Sequence, residues 1–217
     1  MKKLFNKKLT KTWIVALIML IVAIVGILIM PDIIPTHFGP SGEPDGWGTK
    51  YTVLMFPAIT ILVAVLAVPM MRLDPKEENY GRFEKYYYNF FFGFSLFFLA
   101  MEVINIVIAM GININMGMIM CLVTGLLMIF VGNMMPKIKQ NFYFGIKTPW
   151  TLADEENWFK THRLAGKTFV FGGIVIALGT FVPGEGKAWL LLAVVLVMVA
   201  IPLIYSAVLH MKRREGK

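Results

Sequence analysis

Three groups of residues in the 217-residue chain have types and spacings that could do chemistry. His37, Glu43 and Asp45 put an imidazole and two carboxylates within nine residues, ligand types that suit a divalent metal. Glu102, with Asn105 three positions on, is the one acidic residue inside an apolar run. A carboxyl group in hydrocarbon marks a functional position by default, through proton relay or ion binding. The third group is the charged stretch from Thr151 to Arg163, where Asp154, Glu155, Trp158, His162 and Arg163 could recognise a partner. Each group also has a plainer reading. The first matches no metal-site spacing, so the expectation is solvent-exposed turn residues and no metal. Glu102 lies near the outer end of its run, where it could reach water or pair with Lys187. There is no second embedded acid, no embedded histidine and no nucleophile beside a base, so catalysis lacks parts and neither an enzyme nor a cofactor is expected.

The elements that must position these residues are membrane helices. Hydrophobic residues make up 58% of the chain and charged residues 16%, outside the range of soluble domains. Six apolar runs fit the about 17–25 residues of a spanning helix: 13–30, 51–71, 86–110, 116–135, 164–182 and 188–209. In the fifth, Gly173 and Ala177 form a small-xxx-small pair suited to close helix approach. Of the 21 Lys and Arg residues, all but Lys50 and Lys187 fall on one side of this arrangement, which predicts that both termini are cytoplasmic. The net charge of +8 is then a matter of topology and anionic lipid rather than of nucleic acid, for which no recognition motif exists. The first run ends in Met30-Pro31 without a small-residue cleavage site, so it is expected to remain as a helix rather than to be removed as a signal. The single Cys121 lies in the fourth run and is expected to serve packing.

Two polar segments are more than connectors. The outer one, residues 31–50, holds four prolines and four glycines, including Gly42, Pro44 and the Asp45-Gly46 turn signal. It is expected to be an ordered succession of turns, with Trp47 and Tyr51 at headgroup level and a role in receiving an outside ligand. The inner one, residues 136–167, is expected to enter extended at Thr148-Pro149. Thr151 and Asp154 then read as a capping box opening an amphipathic helix. That helix is expected to lie in the cytoplasmic interface, with Trp150 and Trp158 as belt residues, before the chain turns into the fifth span.

The string "GIKTPWTLADEENWFKTHRLAGK", preceded by "VGNMMPKIKQNFYF", resembles the signature of the SdpI family of bacterial immunity membrane proteins. Gly145, Thr148, Pro149, Trp150, Thr151, Asp154, Glu155, Trp158 and Arg163 stand in register with it. The outer "IPTHFGPSGEPDGWGTK" resembles the N-terminal domain of unknown function that commonly accompanies that family. The chain departs from the pattern at Lys147, where arginine is common, and at His162, where asparagine is frequent. Lysine keeps the charge but loses the planar fork that grips carboxylates.

The resemblance implies an all-α, multi-pass protein of the bacterial cell membrane that protects its producer from a secreted peptide toxin. It further implies a receptor role, with toxin outside and a cytoplasmic transcriptional repressor held at the inner face. The expected organisation is a two-helix unit over residues 1–85 and a four-helix unit over 86–217. The alternative class is a small-solute transporter or membrane-embedded enzyme using Glu102.

Overall fold

A computed structural model describes residues 7–215; Lys2, Lys3 and Lys217, counted above with the basic side, lie outside the described residues. The chain is a bundle of helices, six of them long and apolar enough to cross a membrane. In order these are α1 (Thr10–Ile29), α2 (Met55–Arg72), α4 (Glu84–Ala109), α5 (Met116–Met134), α7 (Glu155–Leu178) and α8 (Gly186–Glu215). Two short helices, α3 (Glu77–Tyr80) and α6 (Pro149–Ala153), sit in the connections. Helices are the dictated solution because hydrocarbon offers no partner for an unpaired backbone group.

The outer segment is more regular than the predicted succession of turns. Strands β1 (Ile33–Phe38) and β2 (Pro44–Thr49) pair antiparallel, with Ile33 opposite Thr49 and Pro35 opposite Trp47. The register shifts around His37, and a two-stranded ribbon tolerates Pro35 and Pro44 because each strand has a free edge. The hairpin reaches α2 through a 3-10 turn at Lys50–Leu54.

α1, α2 and α4 pack together, and α5 lies along α7, which in turn packs on α8. Glycines set the α5–α7 distance. A Cβ on Gly125 would meet the Gly173 oxygen at 2.6 Å and the Ala177 nitrogen at 2.6 Å, and one on Gly132 would meet the Gly166 oxygen at 2.9 Å. The small-residue pair seen in the sequence is therefore one half of a two-sided seam repeating every seven residues, where backbone meets backbone.

One end of the bundle carries the hairpin and the connections from α4 to α5 and from α7 to α8. The other, basic end carries the start of α1, the connections from α2 to α4 and from α5 to α7, and the end of α8. The largest buried cluster is at the basic end and draws Leu9, Ala67, Tyr80, Phe83, Tyr87, Val131, Trp158 and Ala165 from six different elements.

Candidate functional site

At the basic end the connections are knitted together by buried polar side chains. Gln140 and Asn141, in the extended stretch after α5, are 4% and 0% exposed. The Gln140 amide donates to the carbonyls of Thr151 at 2.6 Å and Leu152 at 3.0 Å, while its oxygen accepts from Lys76. Asn79 donates to the Gln140 carbonyl at 2.8 Å. Asn141 folds its own loop: Oδ1 accepts from the Phe144 backbone at 2.6 Å and Nδ2 donates to the Lys139 and Phe144 carbonyls at 2.8 Å. Asp74 accepts from Tyr80 Oη and from the Phe142 backbone, both at 2.8 Å. Burial, then the hydrogen bond to Asp74, raise the Tyr80 hydroxyl well above the usual tyrosine range, so it remains a donor. Phe144 finally lays its ring edge-on against Tyr87 and Phe90 of α4.

The loop then turns back over α7. Gly145 has φ +116°, a region for which only glycine has no penalty, and a Cβ there would lie 2.6 Å from His162 Nε2 and 3.1 Å from Trp158 Cζ2. The two rings beneath it stack, with centroids 4.1 Å apart and planes inclined by 18°. Trp158 Nε1 donates to the Ile138 carbonyl at 2.9 Å. His162 Nε2 accepts from the Ile146 backbone at 3.0 Å, and Nδ1 lies 2.9 Å from the Trp158 carbonyl. One ring nitrogen accepting and the other donating define a neutral imidazole with its proton on Nδ1.

Two sequence expectations are corrected at this point. The capping box is formed by Thr148 and Thr151, whose side chains each accept from the other's backbone at 3.1 and 2.9 Å, rather than by Thr151 and Asp154. Pro149 decides this, because its fixed φ suits the first helical position and leaves Thr148 extended as the cap. Asp154 instead caps α7, accepting from the Glu156 backbone at 2.9 Å. α7 then runs unbroken from Glu155 into the span, so the amphipathic stretch holding Trp158 and His162 is the first part of the spanning helix. Trp158 is correspondingly no belt residue: it is 2% exposed, and Ala165 on the same face is 0% exposed. The periodicity marked a buried face, and what covers it is the protein's own loop.

α8 completes the arrangement from the far end of the sequence. Asn157 donates to the Ser206 carbonyl at 2.9 Å and accepts from Thr161 at 3.0 Å, and Thr148 Oγ1 lies 3.3 Å from Ser206 Oγ. Trp150 lies against His210, and Arg213 bridges Asp154 and Glu156. Burial pushes the Asp154 carboxyl upward, but the backbone donors of Glu156 and Asn157 together with Arg213 outweigh it and leave the group below its ordinary value. Lys147, Glu155 and Arg163 are exposed.

The hairpin end holds the other predicted residues. His37 Nδ1 is 2.5 Å from Asp45 Oδ1 across the strands, with both side chains largely exposed. Among the described residues no three His, Cys, Asp or Glu side chains gather as a metal-holding group. Glu43 is exposed, and Trp47 is 63% exposed. Gly42, by contrast, is buried with φ +85°, and a Cβ there would lie 2.5 Å from Asn115 Oδ1. Asn115 donates to the Ser41 carbonyl at 3.0 Å and caps α5, which clamps the hairpin tip to the bundle.

Asn105 donates to the Pro35 carbonyl at 3.0 Å. Glu102, one turn below it, is 0% exposed, and neither carboxyl oxygen has a hydrogen-bond partner among the described residues. Neither contact that its position allowed, with water or with Lys187, is made: Glu102 is enclosed, and Lys187 lies 3.4 Å from Asn115 Oδ1. Helical spacing accounts for this, since Glu102 shares a face with Asn105, Ile106 and Ala109, which pack under the hairpin with Ala23, Met30 and Ile34.

Sequence reasoning passed over Asp74, Asn79, Tyr80, Gln140, Asn141, Asn157, Thr161 and Ser206. Gln140 and Asn141 stand inside the quoted signature, and Asn157 with Thr161 are one turn apart beside Trp158 and His162. Asp74 and Ser206 carry no local signal, because what they bind is distant in the chain.

These features define a class: a polytopic α-helical membrane protein with a clamped hairpin at one end and a buried polar network joining the connections at the other. Its sequence is similar to that of the SdpI family. Residues 137–206 match the SdpI/YfhL protein family, an interval reaching from the end of α5 to Ser206, and residues 14–61 match the domain of unknown function DUF1648. The chain is 27% identical over 191 residues to the protein named Immunity protein SdpI of Bacillus subtilis (strain 168), covering 83% of this chain and 84% of that one. No solved structure matches.

Proposed function

We propose that this is an immunity protein of the bacterial cell membrane, protecting its producer from a secreted peptide toxin. The observation that carries the reading is the extent of the similarity to Immunity protein SdpI, which covers 83% of this chain rather than one motif. In this reading the basic end is cytoplasmic, because short inner connections retain Lys and Arg, and the hairpin faces outward. Toxin meets the hairpin and the adjoining helix ends, where His37, Glu43, Asp45 and Trp47 are accessible. Deleting the gene in its own host and challenging the cells with spent medium from the parent tests this. Killing of the deletion strain, reversed by the gene supplied on a plasmid, is the expected result; equal survival of parent and deletion strain overturns the reading.

A receptor role is the second part of the proposal. Phe142 and Tyr143 are each 39% exposed beside exposed Lys147, on a loop that Asn141 holds in a single shape. A rigid aromatic edge with a cation is the kind of surface that a cytoplasmic repressor could grip. Alanine at both aromatics should release a tagged regulator from membranes while leaving toxin survival unchanged.

A further inference from the structure

We propose that the groove between α5 and α7 at the basic end is a binding site for one anionic phospholipid of the surrounding leaflet. The groove has a volume of about 650 Å³ and takes its floor from Gly132 and Gly166, the upper pair of the glycine seam. Lys137, Arg163 and Lys167 line it, and no acidic side chain does. None of the three cations has a hydrogen-bond or ion-pair partner among the described residues. Several other cations at the same end are engaged, among them Lys8 with Glu84, Lys160 with Glu156, and Arg213 with Asp154 and Glu156. Three uncompensated positive charges around one concavity call for an anion.

The apolar part of the lining says which anion. Arg163, Lys167 and Phe171 follow one another at four-residue intervals on α7, so cations give way to hydrocarbon along a single stripe. Lys167 is the last charge before the apolar run, while Phe171 is 71% exposed and Ile174 45% exposed on a helix that crosses the membrane. The groove is thus basic at headgroup depth and greasy below, and it opens sideways toward the acyl chains. A soluble phosphate would leave the lower wall unused, and an acidic protein segment could not follow it into hydrocarbon. A phospholipid with an anionic headgroup satisfies both halves.

The test uses the full-length protein in phosphatidylcholine nanodiscs doped with phosphatidylglycerol, with lipid retained through purification counted by native mass spectrometry. Wild type should retain phosphatidylglycerol over phosphatidylcholine. Lys137→Gln, Arg163→Gln and Lys167→Gln combined should lower that preference at least about tenfold. The matched combination Lys139→Gln, Lys147→Gln and Lys160→Gln, which removes the same charge outside the groove, should leave it within about twofold. Thermal melts check that both variants fold. Equal loss in the two combinations would reduce the effect to diffuse attraction, and unchanged preference in the first would also overturn the proposal. Displacement of the lipid by glycerophosphate alone would reassign the groove to a soluble anion. An Arg163→Gln protein that keeps its lipid preference but no longer retains a cytoplasmic regulator would reassign it to a protein partner.

Discussion

The loop over α7 depends on single atoms. Alanine at Gly145 meets both an unfavourable φ and the His162 ring at 2.6 Å, so Gly145→Ala should destabilise the fold by about 1–3 kcal/mol, read as a lower melting temperature in detergent. His162 is informative in another way, because glutamine can place its Oε1 where Nε2 accepts from the Ile146 backbone, whereas leucine offers no acceptor. Both substitutions lose the stack on Trp158, so the difference between them isolates the acceptor: His162→Leu should be less stable than His162→Gln by about 1–3 kcal/mol. Equal melting of the two would show that stacking alone fixes the ring. For Glu102, glutamine keeps the shape and removes the ionisable proton, while alanine opens a cavity under the hairpin. Glu102→Gln should preserve expression and toxin survival and Glu102→Ala should reduce both; a matching loss of survival in the two, at normal expression, would mean that the proton itself is used.

At the scale of elements, Asp154 is where α7 starts and where Arg213 fastens α8. Its carboxyl is held below the ordinary value, so its contribution to stability is present above the unfolded value of about 3.9 and is lost as pH falls through the lower, folded value. Asparagine still caps a helix but carries no charge. Wild type should therefore melt above Asp154→Asn at pH 7, with the gap narrowing as pH falls below the unfolded value. The six spans were legible in the sequence because hydrocarbon leaves a long apolar run few alternatives to a helix. The hairpin was hidden because its strands are built from Pro, Gly and His without a clean alternation, and its pairing depends on Asn105 and Asn115 from other elements. The face of α7 was also legible, since Trp158, His162 and Ala165 share it, but periodicity says only that a face is covered. That a loop covers it follows from Gly145 and Gln140, whose partners lie beyond local spacing.

For the whole molecule, the testable quantity is which way it points. Glu43 is the proper reporter at the hairpin end: neighbouring Gly42 is buried at φ +85° and would not accept a side chain. Glu43→Cys should react with an impermeant thiol reagent on intact cells, and Glu155→Cys at the basic end only after permeabilisation; the reverse pattern inverts the topology. Buried Cys121 should stay silent in both. The polar residues of the basic end were the least legible part of the sequence, because the network closes over long separations, with Asn79 bound to Gln140 and Asn157 to Ser206.

Those separations carry a consequence for how the protein is made. Asp74, Gln140 and Asn157 emerge from the ribosome long before Ser206 and Arg213, which sit in α8. At about 5–20 residues per second, the first part of the network waits several seconds or more for its last partners. Until α8 inserts, Thr148 and Asn157 face a neighbour that does not yet exist, and the nascent chain offers quality-control proteases an open polar seam. A chain stopped short of Ser206 would hold five inserted spans and most of the signature, yet it should be cleared rather than accumulate, because α8 is the helix that closes the basic end.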